Sequence, residues 1–253
     1  MIGAIPEEGD KPSAIFDKGF IVSPSTQHAV CYGLRRSIRI RLADFVPSSE
    51  NRRILRKGAD FSYKLVRRED FLFTQEWRNL CKQFAGERFG EGVMDDVRLA
   101  RMFESPMTTH VMVFTGSTAG KGIGITLLYV EPNKAVYLFY SFYDLTYYAR
   151  NLGMYQATSV VKYFADLGYE YCYLGTGYQR KSLYKTQFKG VQFFTGFRWS
   201  NNLDELKHLV EQDEGLQEEP AGPMHRPSYL GPFYPADKET LLAALEVTPE
   251  VVL

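Results

Sequence analysis

The sequence predicts a mixed α+β fold, and three observations carry that expectation. Apolar runs with the period of strands alternate with segments that have the period of amphipathic helices. Three such runs follow one another between Thr109 and Phe142, separated only by turn chemistry. A helix-length segment, Asn151–Leu167, then leads to a short apolar run, Tyr171–Leu174, as in a strand–helix–strand unit.

Taken in order, residues 1–34 are rich in Gly, Pro and Ser, with short apolar pieces at Ile15–Phe16 and Phe20–Val22, and read as loops and short strands. Ser37–Phe45 alternates basic and apolar residues, the pattern of a half-exposed strand. Pro47–Asn51 is a turn or helix start, and the short basic run Arg52–Lys57 is stopped by Gly58. A strand follows from Phe61. Asp70 can cap a helix reaching Phe84, with Phe73, Trp77, Leu80, Cys81 and Phe84 on one face. A second helix is expected over Asp95–Phe103. The three-strand run comprises Thr109–Thr115, Ile123–Val130 and Ala135–Phe142, broken by Gly116–Lys121 and Glu131–Lys134, both suited to hairpin turns. Gly168 ends the helix after Asn151. A helix near Ser182–Phe188 and a strand near Gln192–Trp199 complete the core. From Glu211 the chain is acidic and rich in Pro and Gly, the composition of a linker, and a last short helix is expected over Asp237–Leu245. A three-strand meander followed by a strand–helix–strand crossover is the element order of the GNAT acyltransferases. In that architecture the cleft opens where the strand Ala135–Phe142 parts from Tyr171–Leu174.

The chain has 253 residues, enough to bury a sizeable core, and its hydrophobic and charged shares, 45% and 24%, are those of an ordinary globular protein. Seventeen Tyr and eighteen Phe point to aromatic sheet faces or a stacking groove. Formal net charge is zero but unevenly placed. Between residues 35 and 68 stand Arg35, Arg36, Arg39, Arg41, Arg52, Arg53, Arg56, Lys57, Lys64, Arg67 and Arg68, against Asp44, Glu50 and Asp60. Such a stretch can hold a polyanion on a neutral protein, or be a solvated face. Cys31, Cys81 and Cys172 are odd in number and widely spaced, so no disulfide framework is implied and a reducing compartment is expected. The N-terminus has neither the basic start nor the apolar run of a signal peptide, and no stretch reaches membrane-spanning length, so the expected place is the cytoplasm.

Three stretches carry chemistry. Phe45–Lys57 reads FVPSSENRRILRK. Its adjacent Arg52 and Arg53 suit phosphate or carboxylate, because guanidinium forks grip oxyanions bidentately, although a basic surface turn would look the same. Phe142–Gly153 reads FYDLTYYARNLG. A helix opening at its end offers free backbone N–H groups, and Gly153 permits close approach. Tyr169–Phe188 reads YEYCYLGTGYQRKSLYKTQF, where strand, loop and helix succeed one another with Tyr and Lys at the turns.

Together these stretches resemble the arginyl-tRNA–protein transferases. The first keeps Phe45, Pro47, Ser48, Arg52 and Arg53 of that family's block, and Arg39 and Ile40 before it. The second keeps an aromatic-Tyr-Asp strand end and the spacing from Asp144 to Arg150 and Gly153. The third keeps Tyr171, Tyr173, Leu174, Gly175, Lys181, Tyr184, Lys185 and Phe188. The sequence departs from the pattern at Ser49, Glu50 and Asn51, and its loop after Gly175 is about two residues short of it. The paired-Cys motif of the family's N-terminal domain is missing; His28 and Cys31 have ligand spacing, but two ligands do not close a zinc site, and no metal is expected.

The resemblance implies a small basic N-terminal subdomain over residues 1–60, a GNAT-like catalytic domain over 61–210 and an acidic linker and tail over 211–253. It also implies transfer of an amino acid, arginine first, from aminoacyl-tRNA to the α-amine of an acceptor protein or peptide, with the charged tRNA as co-substrate and no other cofactor. Asp144, Tyr173, Tyr178 and Lys185 are the expected catalytic residues. Arg52, Arg53, Ser48, Arg150, Gly153, Gly175 and Tyr184 are the expected substrate-binding ones. For Asp144, a turn or helix cap is as good a reading as a base. An acyl-CoA-dependent GNAT enzyme, or a non-catalytic binder of tRNA or protein termini, remains the alternative.

Overall fold

A computed structural model describes residues 3–4, 9–22, 32–117 and 120–215. His28, Cys31 and the helix expected over Asp237–Leu245 lie outside them. The class is mixed α/β, as the periodicities predict. The chain forms two compact units: residues 42–172 make one, and residues 1–41 with 173–253 make the other. Boundaries expected near residues 60 and 210 therefore differ from this division.

The discontinuous unit begins with β1 (Gly3–Ala4), α1 (Pro12–Asp17), β2 (Phe20–Val22) and β3 (Tyr32–Leu34), and β3 pairs antiparallel with both β1 and β2. Next comes β4 (Ser37–Arg41). Its alternation suggests a half-exposed strand, but Ser37, Ile38, Arg39 and Ile40 are all buried. The polar members are buried because they have partners. Ser37 Oγ donates to the Gly19 carbonyl, and the Arg39 guanidinium lies 3.8 Å from the centre of the Trp199 ring. Arg39 also donates to Gln192 Oε1 at 2.9 Å and pairs with Asp17.

The continuous unit runs through α2 (Ser49–Lys57), β5 (Ser62–Arg67), α3 (Gln75–Phe89), α4 (Asp96–Glu104), β6 (His110–Thr115), β7 (Gly122–Glu131), β8 (Ala135–Tyr143) and α5 (Leu152–Asp166). The strands form an antiparallel meander in the order β5-β6-β7-β8. β6 and β7 are apolar without alternation, and Val111, Met112, Phe114, Ile125, Leu127 and Leu128 are all fully buried. Helices α3 and α5 both pack on β8. Phe164 of α5, fully buried, contributes about 1.5–3 kcal/mol by removal from water. Asn133 takes φ +60° in the β7–β8 turn, where the Lys134 N–H reaches the Glu131 carbonyl at 3.1 Å.

Helix α3 starts four residues later than Asp70 suggests. Residues Arg68–Asp70 form a 3-10 turn, and the chain then stays non-helical to Thr74, the N-cap, whose N–H reaches the Leu72 carbonyl at 3.0 Å. Staying out of the helix lets Phe73 stack on Phe103 at 3.7 Å between centroids, a tertiary gain that outweighs local helix preference. Asp95 caps α4 by accepting the Arg98 N–H at 2.7 Å.

The chain returns to the first unit within β9 (Tyr171–Thr176). A 3-10 helix over Arg180–Gln187 stands where an α-helix is expected. The strand expected over Gln192–Trp199 is two: β10 (Val191–Phe194) folds back on β11 (Trp199–Ser200), and β10 pairs with β4. The segment from Glu211 is not linker at its start. It belongs to α6 (Leu203–Gly215), whose Leu206, Leu209 and Val210 pack with Ile38, Val191 and Phe193. Three apolar residues at helical spacing anchor it although its other faces are acidic. Asp213 on α6 pairs with Arg36, both side chains nearly inaccessible.

Removing one partner of a buried pair leaves an uncompensated charge, so Asp213→Ala should destabilise this unit by about 3–5 kcal/mol. Arg36→Met combined with Asp213→Leu should recover most of that loss. Urea unfolding followed at Trp199, in a Trp77→Phe background, measures both.

Candidate functional site

The expected site residues fall into two sets, one in each unit. In residues 42–172 the first set gathers around α2 and the start of α5. Helix α2 opens on a capping box: Asn51 N–H donates to Ser48 Oγ at 3.1 Å, and Ser48 N–H to Asn51 Oδ1 at 3.0 Å. Ser48 therefore fixes a helix start. Asn51 and Ile54 form the buried face, while Arg52, Arg56 and Lys57 are exposed. Arg53 is bidentate to Glu50, at 2.6 and 2.5 Å. That pair draws the Glu50 carboxyl below its ordinary range and raises the guanidinium. Glu50, the departure noted in the basic block, thus neutralises one Arg of the pair. Arg52 gives one N–H to the Pro47 carbonyl at 2.6 Å and keeps four of its five donors for other partners.

Arg150 is placed differently from expectation. It pairs with Asp60 through two nitrogens, donates to the Lys57 carbonyl at 2.9 Å, and lies 4.1 Å from the centre of the Phe61 ring. Its fork is used by the protein itself. The Arg150 hydrogen bond pulls the Asp60 carboxyl below its usual value. The effect is a latch from the end of α2 to the 3-10 turn Leu145–Arg150, just before α5.

Asp144 opens that turn. Its Oδ1 accepts the Thr146 N–H at 3.0 Å and the Thr146 hydroxyl at 2.6 Å, and Lys121 Nζ lies 3.8 Å from Oδ2. Of the two readings left open for Asp144, the geometry has the features of the cap. Asn151 follows in the left-handed region at φ +59°, and α5 begins. Gly153 sits against Tyr143, where an added Cβ would lie 2.8 Å from the ring. Close packing, as well as any ligand, requires glycine there. Arg88 at the end of α3 donates to Tyr143 Oη at 3.1 Å, and its guanidinium lies 4.5 Å from the centre of the Tyr148 ring.

The second set lies in residues 173–185. Tyr173 is 1% exposed; its hydroxyl accepts from Arg39 at 3.4 Å, and its ring packs on Phe16 and Trp199. Tyr178 accepts the Arg36 N–H at 2.9 Å, with the Arg36 guanidinium 5.1 Å from its ring centre, and burial raises its phenol. Both tyrosines are built into the packing of this unit.

Lys185 is the residue of this set with unusual chemistry. Its Nζ donates to the Thr176 carbonyl at 2.8 Å. A Cβ at Gly175, which takes φ +81°, would stand 3.7 Å from that nitrogen. Burial favours the neutral amine and brings its pKa down to about 8. Tyr184, half-exposed, has its ring centre 5.9 Å from the same nitrogen. The structure thus brings Gly175, Tyr184 and Lys185 together around one amine whose pKa burial lowers to about 8.

Arg36, Arg39, Asp60 and Asp213 organise these sets, and none of them is among the site residues expected from the sequence. Arg36 and Arg39 sit in a basic run, and Asp213 in an acidic one, where pairing across 22 to 177 residues leaves no local signal. Among the described residues no group of three or more His, Cys, Asp or Glu could hold a metal ion, and no helix is long and apolar enough to cross a membrane.

Residues 76–195 match the family model for the C terminus of arginine-tRNA-protein transferases. That range includes Asp144, Arg150, Gly153, Tyr173, Gly175, Tyr178, Tyr184 and Lys185, and leaves out Ser48, Arg52 and Arg53. The chain is 26% identical over 184 residues to an aspartate/glutamate leucyltransferase of Cereibacter sphaeroides, covering 69% of this chain and 65% of that protein. It is 29% identical over 168 residues to an aspartate/glutamate leucyltransferase of Pseudomonas aeruginosa, covering 64% of this chain and 68% of the relative. The match thus spans less than two thirds of the Cereibacter protein. Among solved structures, the C-terminal domain of a lysylphosphatidylglycerol synthetase from Agrobacterium fabrum superposes with a TM-score of 0.44 at 16% identity, over 64% of this chain and 50% of that one. FemX superposes with a TM-score of 0.42 at 11% identity, over 64% of this chain and 58% of its own.

Loss of the latch should loosen the turn before α5 without unfolding the unit. In Arg150→Gln, amide hydrogen exchange over residues 145–152 should accelerate about tenfold, while Arg52→Gln leaves it unchanged.

Proposed function

We propose that this chain is an aminoacyltransferase that moves an amino acid from a charged tRNA to the α-amine of an acceptor protein, acting in the cytoplasm. The match of residues 76–195 to the arginine-tRNA-protein transferase model carries this reading. The amine environment of Lys185, which lies inside that match, supports it chemically. Arginine is the donor residue that the sequence motifs imply. The names of the curated relatives favour leucine, transferred to chains that begin with Asp or Glu, and we take leucine as the first expectation.

An aminoacyl ester is already activated, so the chemistry needs alignment and the movement of one proton. The neutral acceptor amine attacks the ester carbonyl carbon. An amide C–N bond forms, the C–O bond to the terminal ribose breaks, and the surplus amine proton passes to a base while the ribose oxygen leaves as a hydroxyl. Lys185 Nζ is our candidate for that base. With a pKa of about 8, roughly one-tenth of it is neutral at pH 7, and its protonated form can return the proton to the leaving oxygen. Arg52 is assigned to phosphate or acceptor carboxylate, since most of its fork is uncommitted. Asp144, Tyr173, Tyr178 and Arg150 are assigned to positioning.

The direct test incubates the protein with leucyl-tRNA or arginyl-tRNA and peptides beginning with Asp, Glu, Lys or Ala, and reads peptide masses. Gain of one leucine on the Asp and Glu peptides is expected. Gain of one arginine returns the donor to the motif's reading, and no gain with either tRNA overturns the proposal.

The base assignment predicts a pH profile. A neutral base and a neutral acceptor amine, whose pKa is about 7.7–8.0, are both required, so kcat/KM should rise with pH and level off above about 8. Lys185→Arg keeps the charge but cannot accept a proton. It should lower kcat about 10²- to 10⁴-fold and leave only the acceptor amine's limb in the profile.

A further inference from the structure

Arg88 and Tyr148 are not among the site residues expected from the sequence, although Tyr148 lies within the stretch Phe142–Gly153. Tyr148 is 60% exposed, high for so large a ring, and Arg88 is exposed as well. Yet the pair has defined contacts. Arg88 donates to Tyr143 Oη at 3.1 Å, and Tyr143 is buried between Phe84, at 4.8 Å, and the backbone of Gly153. The guanidinium plane is therefore held from below by a core residue while it covers the Tyr148 ring at 4.5 Å. The neighbouring carboxylate Glu87 is drawn along its own helix by Gln83 at 3.4 Å and leaves the Arg88 charge unpaired by it. Phe89, next in sequence, is 55% exposed.

An exposed tyrosine beside a fixed, planar cation has specific uses. Aromatic and guanidinium planes stack on nucleobases, and the remaining N–H donors of the fork reach phosphate. A carboxylate ligand would use the charge but gain nothing from the exposed ring. A purely apolar ligand would bury the cation at a cost. An unpaired nucleotide uses both, because it carries a π-face and an anion about one sugar apart.

We propose that Tyr148 and Arg88 form a stacking platform for the unpaired nucleotide at the 3′ end of an RNA strand. The assignment rests on the aminoacyl-tRNA reading above, and in that setting the nucleotide is the terminal adenosine that bears the ester. Tyr148 supplies the ring, Arg88 supplies the second plane and a phosphate contact, and Tyr143 holds Arg88 in place. Tyr148 lies within the stretch Phe142–Gly153 but is not among its expected site residues, and Arg88, on α3, lies outside all three stretches.

The test uses the full chain and an uncharged RNA hairpin ending in single-stranded CCA, with binding followed by fluorescence anisotropy. A matched hairpin lacks only the terminal base. Tyr148→Ala should weaken binding of the CCA hairpin about 10- to 100-fold, and Tyr148→Phe should stay within about twofold of the parent. Arg88→Lys, which keeps charge but loses the plane, should cost about tenfold. The abasic hairpin should bind the parent weakly and be indifferent to Tyr148→Ala. Equal affinity of parent and Tyr148→Ala for the CCA hairpin overturns the platform, as does an equal loss on the abasic one. Binding needs no turnover, so the platform can stand if no amino acid is transferred. Conversely, transfer with an unchanged KM for charged tRNA in Tyr148→Ala removes the platform and leaves the reaction.

Discussion

The buried contact between Arg36 and Asp213 is the constraint on which the unit formed by the two chain ends depends. Arg36 is 1% exposed, and burial alone would disfavour its charge. It is tolerated because every face of the side chain and its peptide is used. The guanidinium pairs with Asp213 and lies over Tyr178, its N–H donates to Tyr178 Oη, and its carbonyl accepts the Gly177 N–H at 2.9 Å. One residue thereby fixes the loop that leaves β9 and draws α6 onto it. The 3-10 helix that carries Lys185 starts three residues beyond Gly177, so the position of the candidate base is inherited from this contact.

Lys185 shows how such a frame yields chemistry. A lysine in water is almost entirely charged at pH 7. Here the ammonium is taken from water and offered a backbone carbonyl, which can accept a hydrogen bond but brings no full negative charge. Desolvation therefore wins, and the amine comes down to about 8. The contrast with Arg150 is instructive. That cation meets a carboxylate, a carbonyl and an aromatic face, and its charge is reinforced. The same physical terms with different partners give one group suited to exchange a proton and another suited to hold a turn.

Much of this organisation is legible in the chain. The three-strand run, the helix from Leu152 and the short strand after it follow from apolar periodicity, because each of these elements buries a continuous face. Asp95 and Ser48 announce their helix starts, since capping is local. What the sequence conceals is non-local. Arg36 and Arg39 look like members of a solvated basic stripe, and only the fold supplies Asp213, Asp17 and Trp199. The end of helix α6, from Glu211, looks like linker because acids dominate its composition, while Leu206, Leu209 and Val210 before it decide the helix's place. The start of α3 is misjudged because Phe73 gains more by stacking on Phe103 than by joining the helix. At the candidate site the motifs pick out Lys185, but its lowered pKa depends on burial, which no spacing encodes.

The arginines discussed above, all among the described residues, fall into three conditions, and the difference bears on which of them an incoming anion could engage. Arg36, Arg39 and Arg150 have their forks engaged by carboxylates, amides or aromatic rings, so an incoming anion would have to displace bonds already made. Arg53 has a carboxylate of its own, at small energetic value but at the cost of its availability to a ligand. Arg52 gives one donor to the Pro47 carbonyl, Arg88 is held by Tyr143 and Tyr148 without a carboxylate, and both side chains are exposed. A fork held at one point and open elsewhere loses little further rotamer freedom when it binds, which is the advantage of guanidinium over a flexible ammonium. The adjacent pair in the basic block therefore divides its work: Glu50 commits Arg53 to the helix, and under the proposed function an anion would meet Arg52, with Arg56 and Lys57 exposed on the same helix.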